Sequence, residues 1–499
     1  MFKNINMGMT MIEQTLQKIK QTLKNGEFDK AETLFNQDKK VNIDAAKRLY
    51  EQANERLVFA AESAANNGDL KMNQFAYKEA GDYYKEAADL LPEGNGEKLA
   101  SYLEWAGKSF YHAGLYERSK NLHERSLKIR ERILDKEHLD VASSLNELAL
   151  LYKELGNYNK AEPLYERSLY INEKVLGSEH PHVATALNNL GALHYAQGKH
   201  DEAKLLFERA LDIDLKMLGK EHPNVAGDLI NLAKLHKTLG NYDQSKSLYE
   251  RALMIWKKVY GEEHPLVATG FNNLANLYNS QGNYNKALPL YERALAIGEK
   301  VLGAEHPLVA SNLNNLAALH KTQGNYDKAK SLYERALAID VKVYGTEHPY
   351  VAIVLNNLAL LYYKQGKNDK AKPLFERALA INEKVYGEVH PNVAGDLNNL
   401  ALLHKTQSNY DKAKPLFERA LAILEKVHGE EHPNVATSLN NLASLHESQG
   451  NYEQALLLYK RSLDIGEKVL GEEHPDVMNY FNNLVELHKT LGGNCLNVM

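Results

Sequence analysis

Cysteine is nearly missing from this chain. Of 499 residues only Cys495 is one, so no intramolecular disulfide framework is available and a reducing compartment is expected. Tryptophan occurs twice and no long apolar run is present; a membrane-spanning helix needs about 18 such residues. The start, MFKNINMGMTMIEQ, lacks the basic stretch and apolar core of an export signal, so a cytoplasmic protein is expected. Neither sign of charge prevails: 60 Lys and Arg stand against 65 Asp and Glu, a formal net charge of −5. That balance gives no reason to expect a nucleic acid or a membrane as partner. Proline is scarce too, and placed with regularity. Eight of the 13 prolines, from Pro181 to Pro475, follow a histidine at steps of 42.

Those histidines define the chain. His138, His180, His222, His264, His306, His348, His390, His432 and His474 recur every 42 residues (348 − 306 = 42). A period of this size marks a solenoid, in which each unit buries its apolar face only against its neighbours, so a long chain forms one quasi-linear body. Residues 305 to 346 serve as the type unit. Pro307 suits the first turn of a helix, where its missing N–H is not needed. Val309, Leu313, Leu316, Ala317 and His320 follow at helical spacing, and Gly324 closes this helix A. Helix B carries Tyr326, Ala329, Leu332, Tyr333, Ala336, Leu337 and Ile339 and ends at Gly345. Alanines 317, 329 and 336 allow close approach of the two backbones.

Four regions follow. Residues 1–95 read as diverged helical hairpins: Ile12, Leu16, Ile19 and Leu23 form an amphipathic stretch stopped by Asn25-Gly26. An alanine-rich helix is expected over 45–66, and Gly68 lies 42 after Gly26. Pro92-Glu93-Gly94-Asn95-Gly96 is the boundary. Residues 96–137 form a transitional repeat, 138–473 eight tandem repeats, and 474–499 a terminal half repeat with a flexible tail. Phe481, Leu484 and Leu487 of the half repeat have no following helix B, so an exposed apolar face and self-association through it are expected.

The order L-x-N-L-A-x-L-Y/H, Q-G-N-Y-x-K-A, L-Y/F-E-R-A-L resembles the tetratricopeptide repeat, whose usual unit is about 34 residues. The longer form here, with ALAI-x-EKV-Y/L-G-x-EHP-x-VA, is similar to the repeats of kinesin light chain. The resemblance spans residues 138 to 491. It implies an all-α, right-handed superhelical solenoid of antiparallel helix pairs with a concave groove that binds peptides. The family's long heptad coiled coil, which joins the motor heavy chain, has as counterpart only the short run Ile12 to Leu23, so motor association is not expected. The family's carboxylate clamp needs Lys or Arg where this chain has Thr269, Ser311, Ile353, Gly395 and Thr437, so it is not expected either.

Candidate ligand contacts lie on helix A. Asparagine pairs recur as Asn188/Asn189, Asn272/Asn273, Asn314/Asn315, Asn356/Asn357, Asn398/Asn399 and Asn440/Asn441, with Asn231 alone in an imperfect unit. Asparagine is a mediocre helix former, so packing or a ligand favours it. An amide offers donors and an acceptor, and a ladder of them suits the backbone of an extended peptide. The competing reading is that the second asparagine bonds a neighbouring helix and orients the stack. Lys153, Lys237, Lys321, Lys405 and Lys489 near the ends of helix A favour acidic peptides, or else only complement the helix dipole.

The histidines do not suggest a metal site: ligands share an ion at about 2 Å, whereas equivalent residues on neighbouring hairpins stand about 8–10 Å apart. They read as caps of helix A. No phosphate loop, nucleophile elbow or HExxH occurs, so no enzyme, cofactor or metal is expected. The reading is a protein-interaction scaffold or adaptor that binds an extended peptide along its groove. The alternatives are a regulatory sensor or a self-associating architectural solenoid.

Overall fold

A computed structural model describes residue 14 and residues 17–22 and 27–492. Ile12, Leu16 and Leu23, and the tail with Cys495, lie outside the described residues. All regular structure in the described part is helical. The first long helix, α1 (Phe28–Asn73), is uninterrupted for 46 residues and passes straight through Gly68. It is followed by α2 (Tyr77–Leu90), α3 (Gly96–His112) and α4 (Tyr116–Ile133). The 42-residue units then supply α5 (Leu139–Glu154), α6 (Tyr158–Leu176), α7 (Pro181–Ala196), α8 (His200–Leu218), α9 (Pro223–Thr238) and α10 (Tyr242–Tyr260). Next come α11 (Pro265–Ser280), α12 (Tyr284–Leu302), α13 (Pro307–Thr322), α14 (Tyr326–Tyr344), α15 (Pro349–Lys364) and α16 (Asn368–Tyr386). The last five are α17 (Pro391–Thr406), α18 (Tyr410–His428), α19 (Pro433–Ser448), α20 (Tyr452–Leu470) and α21 (Pro475–Thr490). From α5 onward, odd-numbered helices are A helices and even-numbered ones B helices.

Each unit is made by local chemistry that repeats. The EHP histidine holds an extended backbone, and its Nδ1 accepts the N–H two residues on: Leu308 N donates to His306 Nδ1 at 3.0 Å. A side-chain cap of this kind contributes about 1 kcal/mol to a helix. Helix A ends where Gly324 takes φ +78° and Asn325 N donates to His320 O at 2.9 Å, returning the chain as helix B. Ala317, Ala329 and Ala336 are fully buried at the crossing of α13 and α14. On the outer surface several units are tied to the previous one by a repeated ion pair, such as Arg335–Glu299 at 2.6 Å and Arg419–Glu383 at 2.7 Å. These exposed pairs contribute little individually.

Successive A helices touch one another, while successive B helices stand further apart. The A helices therefore line the concave inner wall and the B helices the outside. The curvature is tight enough for the chain to meet itself after 236 residues. His348 Nε2 donates to the His112 carbonyl at 3.2 Å, and His390 Nε2 to the Glu154 carbonyl at 2.9 Å. Along the same line Tyr77 stacks on Tyr344, Tyr116 meets Tyr386 and Tyr158 meets His428. A seam thus joins the A–B turns of the first superhelical turn to the EHP loops of the second. Leu151, Leu155 and Tyr116 pack there with Val385 and Tyr386. Towards the N-terminal end the seam widens into a cleft of about 1300 Å³ between Phe75, Tyr77 and Tyr116 on one side and His306, Val343 and Tyr344 on the other.

The last helix differs from the expectation. Leu484 and Leu487 are buried and Phe481 is half-buried, because α21 also packs on the preceding helix B, α20. The exposed apolar side chains near this end are Met478 and Leu491.

Candidate functional site

The inner wall places the asparagine pairs in a row running from unit to unit. Six of the second asparagines donate from Nδ2 to Oδ1 of the first asparagine one unit earlier. Asn189 bonds Asn146 at 2.8 Å, Asn231 bonds Asn188 at 3.1 Å and Asn315 bonds Asn272 at 3.1 Å. Asn357 bonds Asn314 at 3.0 Å, Asn399 bonds Asn356 at 3.2 Å and Asn483 bonds Asn440 at 2.9 Å. The ladder is interrupted before Asn273, because Ile230 stands where a first asparagine is required. Asn398 instead accepts a long bond from Ser438 at 3.5 Å. Asn441 forms no ladder bond among the described residues.

One amide group thus orients the stack, and part of its bonding capacity is left over. In Asn272 and Asn314 the Nδ2 donor has no partner among the described residues, whereas Asn188 gives its donor to Asp228 at 2.6 Å and Asn356 to Asp396 at 2.7 Å. The Oδ1 acceptors of Asn189, Asn231, Asn315, Asn357 and Asn399 are likewise free of partners among the described residues. Both members of each pair are half-buried, apart from Asn440, which is buried. The wall therefore alternates free acceptors with, in some units, free donors.

Lysines are the other distinctive groups. Lys153, Lys234, Lys237 and Lys321 form no ion pair among the described residues. Burial inside the superhelix holds all four ammonium groups below the usual lysine range. Mutual repulsion adds to this: Lys234 acts on Lys153 and Lys237, and Lys364 acts on Lys321. Lys234 touches water, yet protein surrounds it on the inner wall and takes away much of its bulk solvation. Lys405 is depressed by burial too, and its Nζ donates to Ser444 Oγ at 2.5 Å. Lys489 differs from these, pairing with Glu486 at the exposed end. Sequence reasoning missed Lys234. It occupies the variable position held by Ala318 in the type unit, and the curvature of the inner wall brings it within electrostatic reach of Lys153.

The histidines at the ends of the A helices, His320, His404 and His446, are buried core residues. No group of three or more metal-ligating side chains that would hold an ion is found among the described residues, nor any helix long and apolar enough to cross a membrane.

The repeated hairpins and their inner wall define a class, and comparison with known families agrees. The tetratricopeptide repeat signature matches residues 97–169, 140–216, 226–300, 266–340, 309–384, 350–426 and 393–468. The chain belongs to the tetratricopeptide-repeat family, and its repeats resemble those of kinesin light chain. Among solved structures it is similar to BtubC (BKLC) from P. vanneervenii, with 26% identity over 48% of this chain and 93% of that one, at a TM-score of 0.37. It is also similar to a protein of Podospora anserina described as a kinesin light chain with nearly identical repeats, with 29% identity over 41% of this chain and 98% of that one, at a TM-score of 0.35. A Rap protein in complex with competence and sporulation factor shares the fold, with 16% identity over 74% of this chain and 98% of that one, at a TM-score of 0.50. No curated protein sequence matches the chain.

Proposed function

We propose that the inner wall binds an extended, acidic peptide segment of a partner protein. The observation that carries this reading is the set of unpaired, partly desolvated lysines, Lys153, Lys234, Lys237 and Lys321, beside the free amide groups of the asparagine ladder. Carboxylates of a ligand would relieve the repulsion among the lysines, and such charge-assisted bonds are among the strong ones. The asparagine acceptors would take backbone N–H groups without reading side chains. On this reading the protein is a binding adaptor rather than an enzyme, works without cofactor or metal, and needs neither nucleic acid nor membrane. The rival reading, self-association through α21, rests on only two exposed apolar side chains, Met478 and Leu491. Use as a regulatory sensor would employ the same groove.

The test is fluorescence anisotropy with a labelled Glu-Gly repeat peptide, against a Lys-Gly peptide as control. The acidic peptide is expected to bind, and to weaken by about tenfold or more when salt rises from about 50 to about 500 mM. Replacing Lys153, Lys234, Lys237 and Lys321 together by Ala should abolish capture. Asn315→Ala, Asn357→Ala and Asn399→Ala together, which remove free acceptors, should weaken it. A large loss of stability with unchanged affinity would assign the asparagines to the stack alone. Equal binding of both peptides would overturn the acidic preference.

A further inference from the structure

The seam between superhelical turns carries a second inference, which does not rest on the peptide reading. Two of its histidines, His348 and His390, are used at both ring nitrogens. In His348, Nδ1 accepts from Tyr350 N at 3.2 Å to cap α15, while Nε2 faces the His112 carbonyl. A carbonyl only accepts, so Nε2 must carry the hydrogen and Nδ1 must stay bare. His390 repeats the arrangement, with Asn392 N on Nδ1 at 3.1 Å and the Glu154 carbonyl at Nε2. The seam therefore requires neutral imidazole. A proton on Nδ1 would remove the cap and put a cation into an apolar contact.

One point of the seam departs from the repeat in a matched way. Where other A–B turns carry Tyr116, Tyr158 and Tyr242, this one has His200; where other loops carry Tyr344 and Tyr386, the facing one has His428. His428 stacks on His432 at 3.9 Å, and His200 lies within electrostatic reach of His432. The rings are held close by the turn itself: a Cβ on Gly198 would come within 2.7 Å of His432. Three imidazoles crowd one buried contact, and a second proton there would meet the first.

We propose that the seam is a proton-operated latch, which releases the second superhelical turn from the first on acidification and opens the inner wall from the side. The groups around it fit this. Around His348 are the His112 ring, with Lys108 behind it, and the phenols of Tyr344 and Tyr350. Around His390 are His428 and Tyr386, whose hydroxyl donates to the Glu154 carboxylate at 3.2 Å. His432 faces His428 and His200. Glu347 and Glu431, adjacent in sequence, point outward to Lys384 and Lys468, and Glu388 is exposed. The acids at the contact are thus Glu154, which Tyr386 already engages, and Asp201 and Glu202, which act on His200.

Burial drives His348, His390 and His428 down to about 4 and His432 to about 3. The closed seam then binds fewer protons than the open one. Closure is complete above the ordinary histidine value of about 6.5 and is lost as pH falls from there toward 4. At pH 5 each such histidine shifts the balance toward opening by about 30-fold.

The experiment is small-angle X-ray scattering on the full chain from pH 7.5 to 5.0, with circular dichroism in parallel. The expected result is a rise in radius of gyration at constant helix content. The double variant His200→Tyr and His428→Tyr, which restores residues used at equivalent seam positions, should stay closed to a pH lower by about half a unit or more. A control triple variant on the uncovered edge, His138→Asn, His180→Asn and His222→Asn, should open with the wild type. A radius independent of pH, a rise that tracks loss of helix, or identical transitions in wild type and double variant would each overturn the proposal.

Discussion

At the residue scale, the least repetitive positions prove to be joints between units. A helix B residue meets the helix A residue fourteen positions later, and the two are matched in size and polarity. Asn382 donates to Asp396 at 2.7 Å, and Arg130 to Ser144 at 2.6 Å. Gly466 leaves room for Tyr480, whose ring a Cβ there would approach to 3.1 Å, and Gly270 makes room for Leu253 and Trp256. In the joint at Asp340 the buried acid has no hydrogen-bond partner among the described residues, and burial pushes it up to about 7. Its folded value exceeds its unfolded one, so its favourable share is complete below about pH 4 and is lost as pH rises to 7. Asp340→Asn is therefore expected to raise stability at pH 8 by about 1–3 kcal/mol and to be neutral near pH 4, read as the shift in thermal midpoint at each pH.

At the scale of the element, one turn breaks the rule of its copies. The A–B turns use glycine with positive φ, as in Gly324, Gly366 and Gly450, but the turn between α17 and α18 uses Ser408 at φ +59°. A side chain in the left-handed region costs about 1 kcal/mol. Ser408→Gly should recover about that much, seen as slower hydrogen exchange across α17 and α18 and a higher melting temperature. Helix boundaries were otherwise legible in the repeat, because His-Pro at one end and glycine at the other act within a few residues. The exception is α1. Gly68 looked like a break by its spacing from Gly26, yet the helix continues through it, and its small size instead accommodates Tyr84, whose ring a Cβ there would meet at 2.8 Å.

For the whole molecule, the chain has two kinds of A–B turn that share one local structure. Asn157 N donates to Tyr152 O at 2.8 Å and Asn325 N to His320 O at 2.9 Å, but the first turn is covered by His390 and Pro391 while Gly324 has nothing near it. Hydrogen exchange should therefore be slower at 155–158 than at 323–326, although the bonds are alike. Equal rates would mean that the turns do not stay docked in solution. The residue before the glycine follows this division only in part: Ala113, Leu155 and Leu239 stand in covered turns and Gln281, Gln323, Gln365 and Gln449 in uncovered ones, but Gln197 precedes the covered Gly198 and Leu491 the uncovered Gly492. That signal was present in the sequence, but nothing local says which side of a turn will meet another chain segment.

The sequence by itself therefore determined the unit: its two helices, their caps, the small residues at their crossing and the asparagine row on helix A. Each depends on neighbours within one or two repeats, and a fixed period repeats them faithfully. Tertiary structure alone decided how the units curve. That curvature brings His348 to His112, His390 to Glu154, and His428 and His432 to the turn bearing His200. It also gathers Lys153 and Lys234 on one wall. A small rotation per unit, summed over nearly six units, fixes which distant residues meet, and no local pattern of apolar and polar residues encodes that sum.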